Sequence, residues 1–180
     1  MRMNDRKVKI VLDADVIIHF IKGNALALLP TILPEYRFVI LDIVLNQELR
    51  RNSKTRTQID NHLQLLKNIS EEPWEPDYQM MREYASLIKT LGIGESASMV
   101  YCKYNPNVLA SSNLRDITAY CVQNDICYLS TMDFLSIAHR RGIMSEEACD
   151  EFIASVLAQG SKLPVTKLKE FKPRPDIFSL

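Results

Sequence analysis

The chain has 180 residues, zero formal net charge and a hydrophobic fraction of 47%, with charged residues contributing 24%. These values are ordinary for a globular domain and supply enough apolar material for a sizeable core. They exclude a bulk electrostatic attraction to nucleic acid, so such a partner would need a local basic patch, and no apolar run reaches membrane-spanning length.

The cysteines and the first residues of the chain bear on its compartment. The cysteines lie in apolar patterns, and no pair has the short spacing of a zinc or redox site: Cys102, Cys121, Cys127 and Cys149. We therefore expect reduced core thiols and no structural zinc. The opening MRMNDRKVKI contains an acid and is too short and polar for a signal peptide, which predicts a cytoplasmic protein without membrane contact.

The segment KIVLDADVIIHF places two carboxylates inside an apolar run. Residues 8–12 are apolar and β-branched, which predicts a buried strand that ends at Asp13. Asp15 can cap the following helix and Gly23 can end it, while His19 lies on the apolar helix face and is interpreted as a core residue. A bare buried carboxylate is costly unless it is paired, hydrogen-bonded or bound to a metal, so Asp13 requires a specific role.

The middle of the chain predicts a second strand and three helices. RFVIL at 37–41 is the strand, and Asp42 can cap a helix that carries Glu48. Two further helices carry apolar residues at helical spacing: Ile59, Leu63 and Leu66 in the first, then Tyr78, Met81, Ala85, Ile88 and Leu91 in the second. Residues 69–76 between them are a connector or a poor edge strand.

The second half of the chain continues to alternate helices with strands. In order it predicts a helix opened by Glu95, a strand at 107–110, a helix at 113–123, a strand at 126–129, a helix at 131–140 and a final helix between Ser145 and Gly160. This alternation predicts an α/β fold with a parallel sheet. We assign 1–143 to one domain and 144–180 to a C-terminal helix and tail that pack on it, with 169–180 loosely held.

Several acids follow the predicted strands directly. Asp13 ends the first strand, Glu48 lies in the helix after the second, and Asn113 and Asp116 follow the strand at 107–110. The carboxyl ends of parallel strands share one edge of a sheet, where ligands bind. Carboxylates that gather there need a counter-charge, and oxygen ligands favour Mg²⁺ or Mn²⁺, which promote phosphodiester hydrolysis.

Structural roles also account for most of these residues. Asn113 and Asp116 have the spacing of a helix cap and its third-position acid, and Asp133 stands in the same relation to a preceding serine. Glu95 is favourable in any first helical turn, and Glu48 fits a solvated helix face. The acid that ends the first strand is the hardest to explain in this way, because it terminates a buried strand.

At these residues the chain resembles PIN-domain proteins, in the segments VLDADVII, VLNQELRR, GIGESASMV and ASSNLRDI. The segment STMDFLSIAHRRGIM extends the likeness toward the C-terminus. The resemblance implies a three-layer α/β/α sandwich and Mg²⁺- or Mn²⁺-dependent RNA cleavage, as in toxins of bacterial toxin–antitoxin pairs. Asp13, Glu48 and Glu95 match the family's acids, Asn113 replaces a usual Asp, and Asp116 matches a further acid. Of these, Asp13, Glu95 and Asp116 would bind the metal.

The resemblance also implies partners and leaves alternatives open. A basic cluster follows Glu48 closely enough to contact RNA phosphates, and its members are Arg50, Arg51, Lys54 and Arg56. An antitoxin protein and a homo-oligomer are further expectations. Because Asn113 removes one acid, a catalytically weakened module that binds RNA or protein is the alternative. DADVI also resembles, loosely, the opening motif of haloacid-dehalogenase phosphatases, and this is the weaker alternative.

Overall fold

The computed structural model describes residues 7–180. In these residues a sheet of parallel strands has the order β3-β2-β1-β4-β5. The strands are β1 (Lys9–Leu12), β2 (Arg37–Leu41), β3 (Ser70–Glu72), β4 (Val108–Ala110) and β5 (Tyr128–Leu129). Val11 of β1 pairs in register with Val39 of β2 and Leu109 of β4, so β1 lies at the centre of the sheet.

The three central strands, β1, β2 and β4, are buried on both faces, as expected for a parallel sheet covered by helices. Their residues are buried apart from Lys9 and Arg37 at the amino ends of β1 and β2. Strand β3 is short, polar and lies at one edge, so the 69–76 segment is an edge strand, one of its two predicted forms.

The helices of residues 7–180 form two groups on the sheet. They are α1 (Ala14–Lys22), α2 (Leu29–Ile32), α3 (Asp42–Gln47), α4 (Ser53–Asp60), α5 (Tyr78–Leu87), α6 (Ile93–Tyr104), α7 (Leu114–Gln123), α8 (Thr131–Arg140) and α9 (Glu146–Ala158). Helices α3, α5 and α7 each contact α6, whereas α1, α2 and α9 contact α8. The predicted three-layer α/β/α sandwich with a C-terminal helix is confirmed. Within the described residues no helix is long and apolar enough to cross a membrane.

Aromatic rings fasten α9 to α1 and α8. The Phe20 ring lies 5.0 Å from the Phe152 ring and 6.1 Å from the Phe134 ring, measured between centroids. Gly23, just after α1, allows this approach, because a Cβ at that position would collide with the Phe152 ring. The C-terminal helix therefore shares the core of the sandwich.

The C-terminal tail is held in place, so the expectation that 169–180 is loosely held is wrong. Ile177 is 2% exposed, and the Arg174 guanidinium lies 4.0 Å from the Tyr128 ring centroid. Arg174 also donates a hydrogen bond to the Tyr128 carbonyl and lies 3.6 Å from the Asp133 carboxylate. These contacts join the tail to the end of β5 and the start of α8.

Helix α5 turns a different face to the core from the one we expected. The predicted apolar stripe is largely exposed, with Tyr78 at 76%, Met81 at 45% and Ile88 at 40%. The inward face is a second stripe with the same helical spacing, formed by Met80, Tyr84 and Leu87, and Leu91 of the predicted stripe packs on the core with it. Both stripes satisfy the helical period, so only tertiary packing chooses between them.

Of two predicted helix caps, Ser145 is confirmed and Asp42 is wrong. Ser145 accepts the Ala148 N–H and caps α9 as expected. Asp42 does not cap its own helix, because Leu41 occupies the cap position and the Asp42 carboxylate accepts the Trp74 N–H at 2.9 Å. Asp42 therefore ties the start of α3 to the segment after β3.

Candidate active site

The chain switches sides of the sheet between β1 and β4. Strands β2 and β3 lie on one side of β1, and β4 and β5 lie on the other. In parallel α/β sheets a ligand binds outside the carboxyl ends of the strands at such a switch point. Asp13 directly follows β1 and residues 111–113 directly follow β4, with the Asp13 N–H donating to the Ala110 carbonyl at 2.9 Å. The fold thus places both loops where a ligand is expected.

Asp13 is a buried helix cap in an acidic environment. Its carboxylate accepts the Ala14 N–H at 2.9 Å, so Asp13 caps α1 and the cap role predicted for Asp15 is wrong. Only 5% of Asp13 is exposed. Burial, and then the negative charges of Asp15 and Glu48, raise the pKa of Asp13 well above its ordinary value. One accepted N–H does not offset these costs, so either a bound proton or a nearby cation must balance the charge of Asp13.

Asp15 joins the loop after β1 to the loop after β4. Its carboxylate accepts the Ser112 N–H at 2.8 Å and the Val16 N–H at 2.6 Å. Burial raises the pKa of Asp15, and the Ser112 N–H opposes this shift. Because its oxygens are engaged by backbone donors, Asp15 holds the two loops together.

A buried hydrogen-bonded chain runs from Ser112 to His19. The Ser112 hydroxyl donates to the Thr131 hydroxyl at 2.7 Å, and the Thr131 hydroxyl lies 2.8 Å from His19 Nδ1. His19 is 6% exposed, and burial followed by the charge of Lys22 lowers its pKa to about 4. A neutral, buried His19 matches its interpretation as a core residue.

Glu48 reaches the start of α6 from the end of α3. The helix predicted to carry Glu48 ends one residue before it, and a 3-10 turn follows at Leu49–Arg51. Glu48 Oε1 accepts the Gly94 N–H at 3.2 Å. A Cβ at Gly94 would collide with this carboxylate, so the glycine permits the approach. Desolvation raises the pKa of Glu48, while the Gly94 N–H and the charge of Arg51 oppose the shift.

Glu95 lies in the first turn of α6, beside the position that Glu48 reaches. The residue is 7% exposed. Burial, and then the negative charge of Asp116, raise the pKa of Glu95 to about 7, while the Asn113 side chain opposes the shift. Asp15 and Glu48 contribute smaller effects of the same sign as Asp116. The pKa of Glu95 is thus affected by acids from three other segments of the chain.

Asn113 and Asp116 form a short polar pair at the start of α7. Asn113 occupies the cap position, but its side chain makes no capping hydrogen bond. Its amide instead donates to Asp116 Oδ2 at 2.8 Å. Asn113 therefore places a neutral amide where a second carboxylate would repel Asp116, and it lowers the negative charge of the site by one.

The residues predicted from the sequence come together at one crevice. The group comprises Asp13, Glu48, Glu95, Asn113 and Asp116, and it draws on four separate segments of the chain. Within residues 7–180 no three Asp, Glu, His or Cys side chains already surround one point as metal ligands would. The donors are carboxylate oxygens, which suit Mg²⁺ or Mn²⁺, and Glu48 is exposed while Asp116 is half-buried.

The basic cluster after Glu48 is partly used within the fold. Arg50 lies 3.4 Å from Asp60 and 3.5 Å from Glu71, so its charge is already paired. Arg51 is exposed, hydrogen-bonds to Gln47 and is close enough to Glu48 to affect its pKa. Of the four predicted basic residues, Arg51 is thus the one whose charge bears on the pKa of Glu48 in the described residues.

Sequence reasoning missed several residues of this region. Gly94 has no assigned role in the sequence analysis, although a glycine inside a predicted helix can indicate a close approach by another group. Arg115 and Lys162 line a cavity beside Asn113, and no local motif singles them out. Asp133 matches its structural interpretation, since it completes a capping box with Ser130.

Comparison with known proteins adds no family to this description. A scan against protein-family models and a search of curated proteins each found no match.

Proposed function

We propose that this protein is a metal-dependent ribonuclease. The observation that carries the proposal is the gathering of carboxylates from separate segments at the switch point of the sheet, with raised pKa values for Asp13, Glu48 and Glu95. Such perturbed groups cluster at functional sites more often than elsewhere. The resemblance to PIN-domain proteins supports RNA as the substrate.

In this proposal Asp13, Glu95 and Asp116 hold Mg²⁺ or Mn²⁺. A bound ion of this kind activates a water molecule for in-line attack on a phosphodiester and stabilises the leaving oxygen. Asp15 fixes the two loops that carry the ligands, through its hydrogen bonds to Ser112 and Val16. Asn113 holds Asp116 in position through its amide, and Asp116 supplies the carboxylate that is missing at position 113.

RNA binding is proposed to use exposed cations on both sides of the acids. Arg51 lies near Glu48, and Arg115 and Lys162 lie beside Asn113. Such residues bind phosphates without reading sequence. We do not include Arg50, because its charge is paired within the fold.

Cleavage of mixed RNA tests the proposal. Wild type, Asp13→Asn and Asn113→Asp are incubated with RNA in Mg²⁺, in Mn²⁺ or in EDTA, with Glu151→Gln as a control for loss of an exposed acid. We expect metal-dependent cleavage by wild type and by the control, none by Asp13→Asn, and equal or faster cleavage by Asn113→Asp. Cleavage that persists in EDTA or in Asp13→Asn would contradict the proposal.

A role as a toxin is the finer proposal. Expression of wild type in a bacterial host should then arrest growth, and Asp13→Asn should relieve the arrest. Growth arrest that is equal for both proteins would argue against RNA cleavage as its cause. An antitoxin partner belongs to this proposal and would neutralise the wild type.

The alternative is a weakened module that binds a protein or RNA. Two observations favour it: the neutral Asn113 in the acidic crevice, and the exposed apolar face of α5. That face, defined by Tyr78, Met81 and Ile88, would suit a second copy of the chain or a protein partner. Sedimentation of wild type and of Met81→Glu tests self-association through this face. Absence of RNA cleavage by wild type and by every variant would favour the binding module. The phosphatase alternative is weaker. In the motif that DADVI resembles, the second Asp acts as a general acid, whereas the Asp15 carboxylate is engaged by backbone donors.

A further inference from the structure

A cavity of about 340 Å³ lies directly beside the acidic crevice. It shares Ser112 and Asn113 with the loop after β4. The apolar part of its lining consists of Leu114, Met132, Leu163, Pro164 and Phe171, and Ser130 is a further polar residue of the lining. The far wall comes from the tail in its full extent after α9, residues 159–180, whose last part is held against β5 and α8 by Arg174. The cavity is therefore a built part of the fold and continuous with the candidate site.

The cations of this cavity are available to an anion. Arg115 and Lys162 both line it and both are exposed. Neither forms an ion pair within residues 7–180, in contrast to Arg50 and Arg141, which pair with acids. Among residues 7–180, no acidic residue lines this cavity. A positive rim thus stands immediately next to a crevice of carboxylates.

The volume of the cavity and the chemistry of its lining together indicate which kind of ligand it binds. A volume of about 340 Å³ is at the small end of ligand pockets, which span roughly 300–1,000 Å³. An apolar wall with one aromatic ring suits the face of a nucleobase, and cations at its rim suit the adjoining phosphate. An apolar side chain of a protein would use the wall but would leave both cations without an anion.

We propose that the cavity formed by Leu114, Leu163 and Phe171 binds one nucleobase of the RNA, with Arg115 and Lys162 on the neighbouring phosphate. The inference rests on the proposed ribonuclease function and names the part of the substrate that the site recognises. The base next to the cleaved phosphate enters the cavity, and this contact aligns the backbone over the acids. The tail that supplies Lys162, Leu163 and Phe171 is then part of the substrate-binding surface.

Binding of nucleotides to the full chain in EDTA tests the inference without any need for catalysis. The probes are the four nucleoside 5′-monophosphates, with ribose 5-phosphate as the ligand that has no base. We expect at least one nucleotide to bind about tenfold more tightly than ribose 5-phosphate, as one stacked base would give. Equal binding of nucleotide and ribose 5-phosphate would overturn the inference.

Variants localise the binding. Lys162→Glu should weaken nucleotide binding by about tenfold, whereas Lys172→Glu, on the same tail but outside the cavity, should leave it unchanged. Leu163→Asn should reduce the preference for nucleotide over ribose 5-phosphate. Thermal melts check that each variant is folded, and Lys162→Glu is the decisive one because its side chain is exposed. Equal effects of Lys162→Glu and Lys172→Glu would overturn the inference.

The two proposals fail in different ways. If wild type cleaves RNA but binds nucleotide no more tightly than ribose 5-phosphate, the base-binding proposal is refuted and the ribonuclease proposal is supported. If nucleotide binding depends on Lys162 but no metal-dependent cleavage is seen, the base-binding proposal is supported and the ribonuclease proposal is refuted. If both hold, Lys162→Glu should also raise the KM for RNA by about tenfold.

Discussion

Glu95→Gln should stabilise the metal-free protein at neutral and alkaline pH. The folded protein raises the pKa of Glu95 from an ordinary value of 4.5 to about 7, first by burial and then by the charge of Asp116. Between these two pH values the folded chain keeps a proton that the unfolded chain releases. The free energy of unfolding therefore falls as pH rises through this window. Glutamine keeps the shape of the side chain and carries no charge at any pH.

The magnitude follows from the size of the pKa difference. A change from 4.5 to about 7 corresponds to at most about 3 kcal/mol of lost stability. The crevice admits solvent and the acids titrate together, which reduces the gain expected from one substitution to about 1–2 kcal/mol. We expect this gain at about pH 8 and almost none at about pH 4, where Glu95 is protonated in wild type.

Urea unfolding in EDTA, followed by the fluorescence of the single tryptophan, Trp74, measures this effect. Glu151→Gln, which removes an exposed acid from α9, is the matched control and should change the free energy of unfolding little at either pH. A Glu95→Gln protein that is no more stable than wild type at about pH 8, or equally stabilised at about pH 4, would refute the reasoning. Added Mg²⁺ should narrow the difference, because an ion that binds the folded wild type stabilises it.

Three further substitutions probe the same region. Gly94→Ala should displace Glu48 and lower metal-dependent cleavage by roughly 10–100-fold, whereas Gly92→Ala, whose Cβ would meet only open space and a distant side chain, should cleave normally. Ser98→Ala should raise the free energy of unfolding by about 1 kcal/mol in urea titrations, because this buried hydroxyl has no hydrogen-bond partner in the described residues. Arg51→Gln should weaken RNA binding and reduce its salt dependence by about one phosphate contact, measured by fluorescence anisotropy.

Local sequence was enough for most strands and helices and for the parallel sheet, whereas the three layers were expected from the family resemblance. The apolar run before Asp13 is buried as β1, and the alternation of strands with helices gave the parallel sheet. Ser145 and the capping box of Asp133 were also predictable, since a cap depends on residues within one turn. These features depend on short-range chemistry, which a sequence pattern records directly.

The residues of the candidate site were predicted from the strand ends and from a family resemblance. The contacts that these residues make were not predicted. Asp15 was interpreted as a cap, yet its partner is Ser112, far along the chain on the loop after β4. Glu48 meets Gly94 only because α3 ends early and packs beside α6. No local pattern encodes which residues of two distant segments will touch.

Residue patterns within a few positions predict most of the strands and helices, and they locate the acids that follow the strand ends. Only the tertiary structure decided which face of α5 is buried, because Tyr78 and Met80 belong to stripes with the same helical period. It also decided that the tail forms a wall beside Asn113. The physical reason is that periodicity and capping are fixed within a few residues, whereas burial and charge coupling depend on packing between distant parts of the chain.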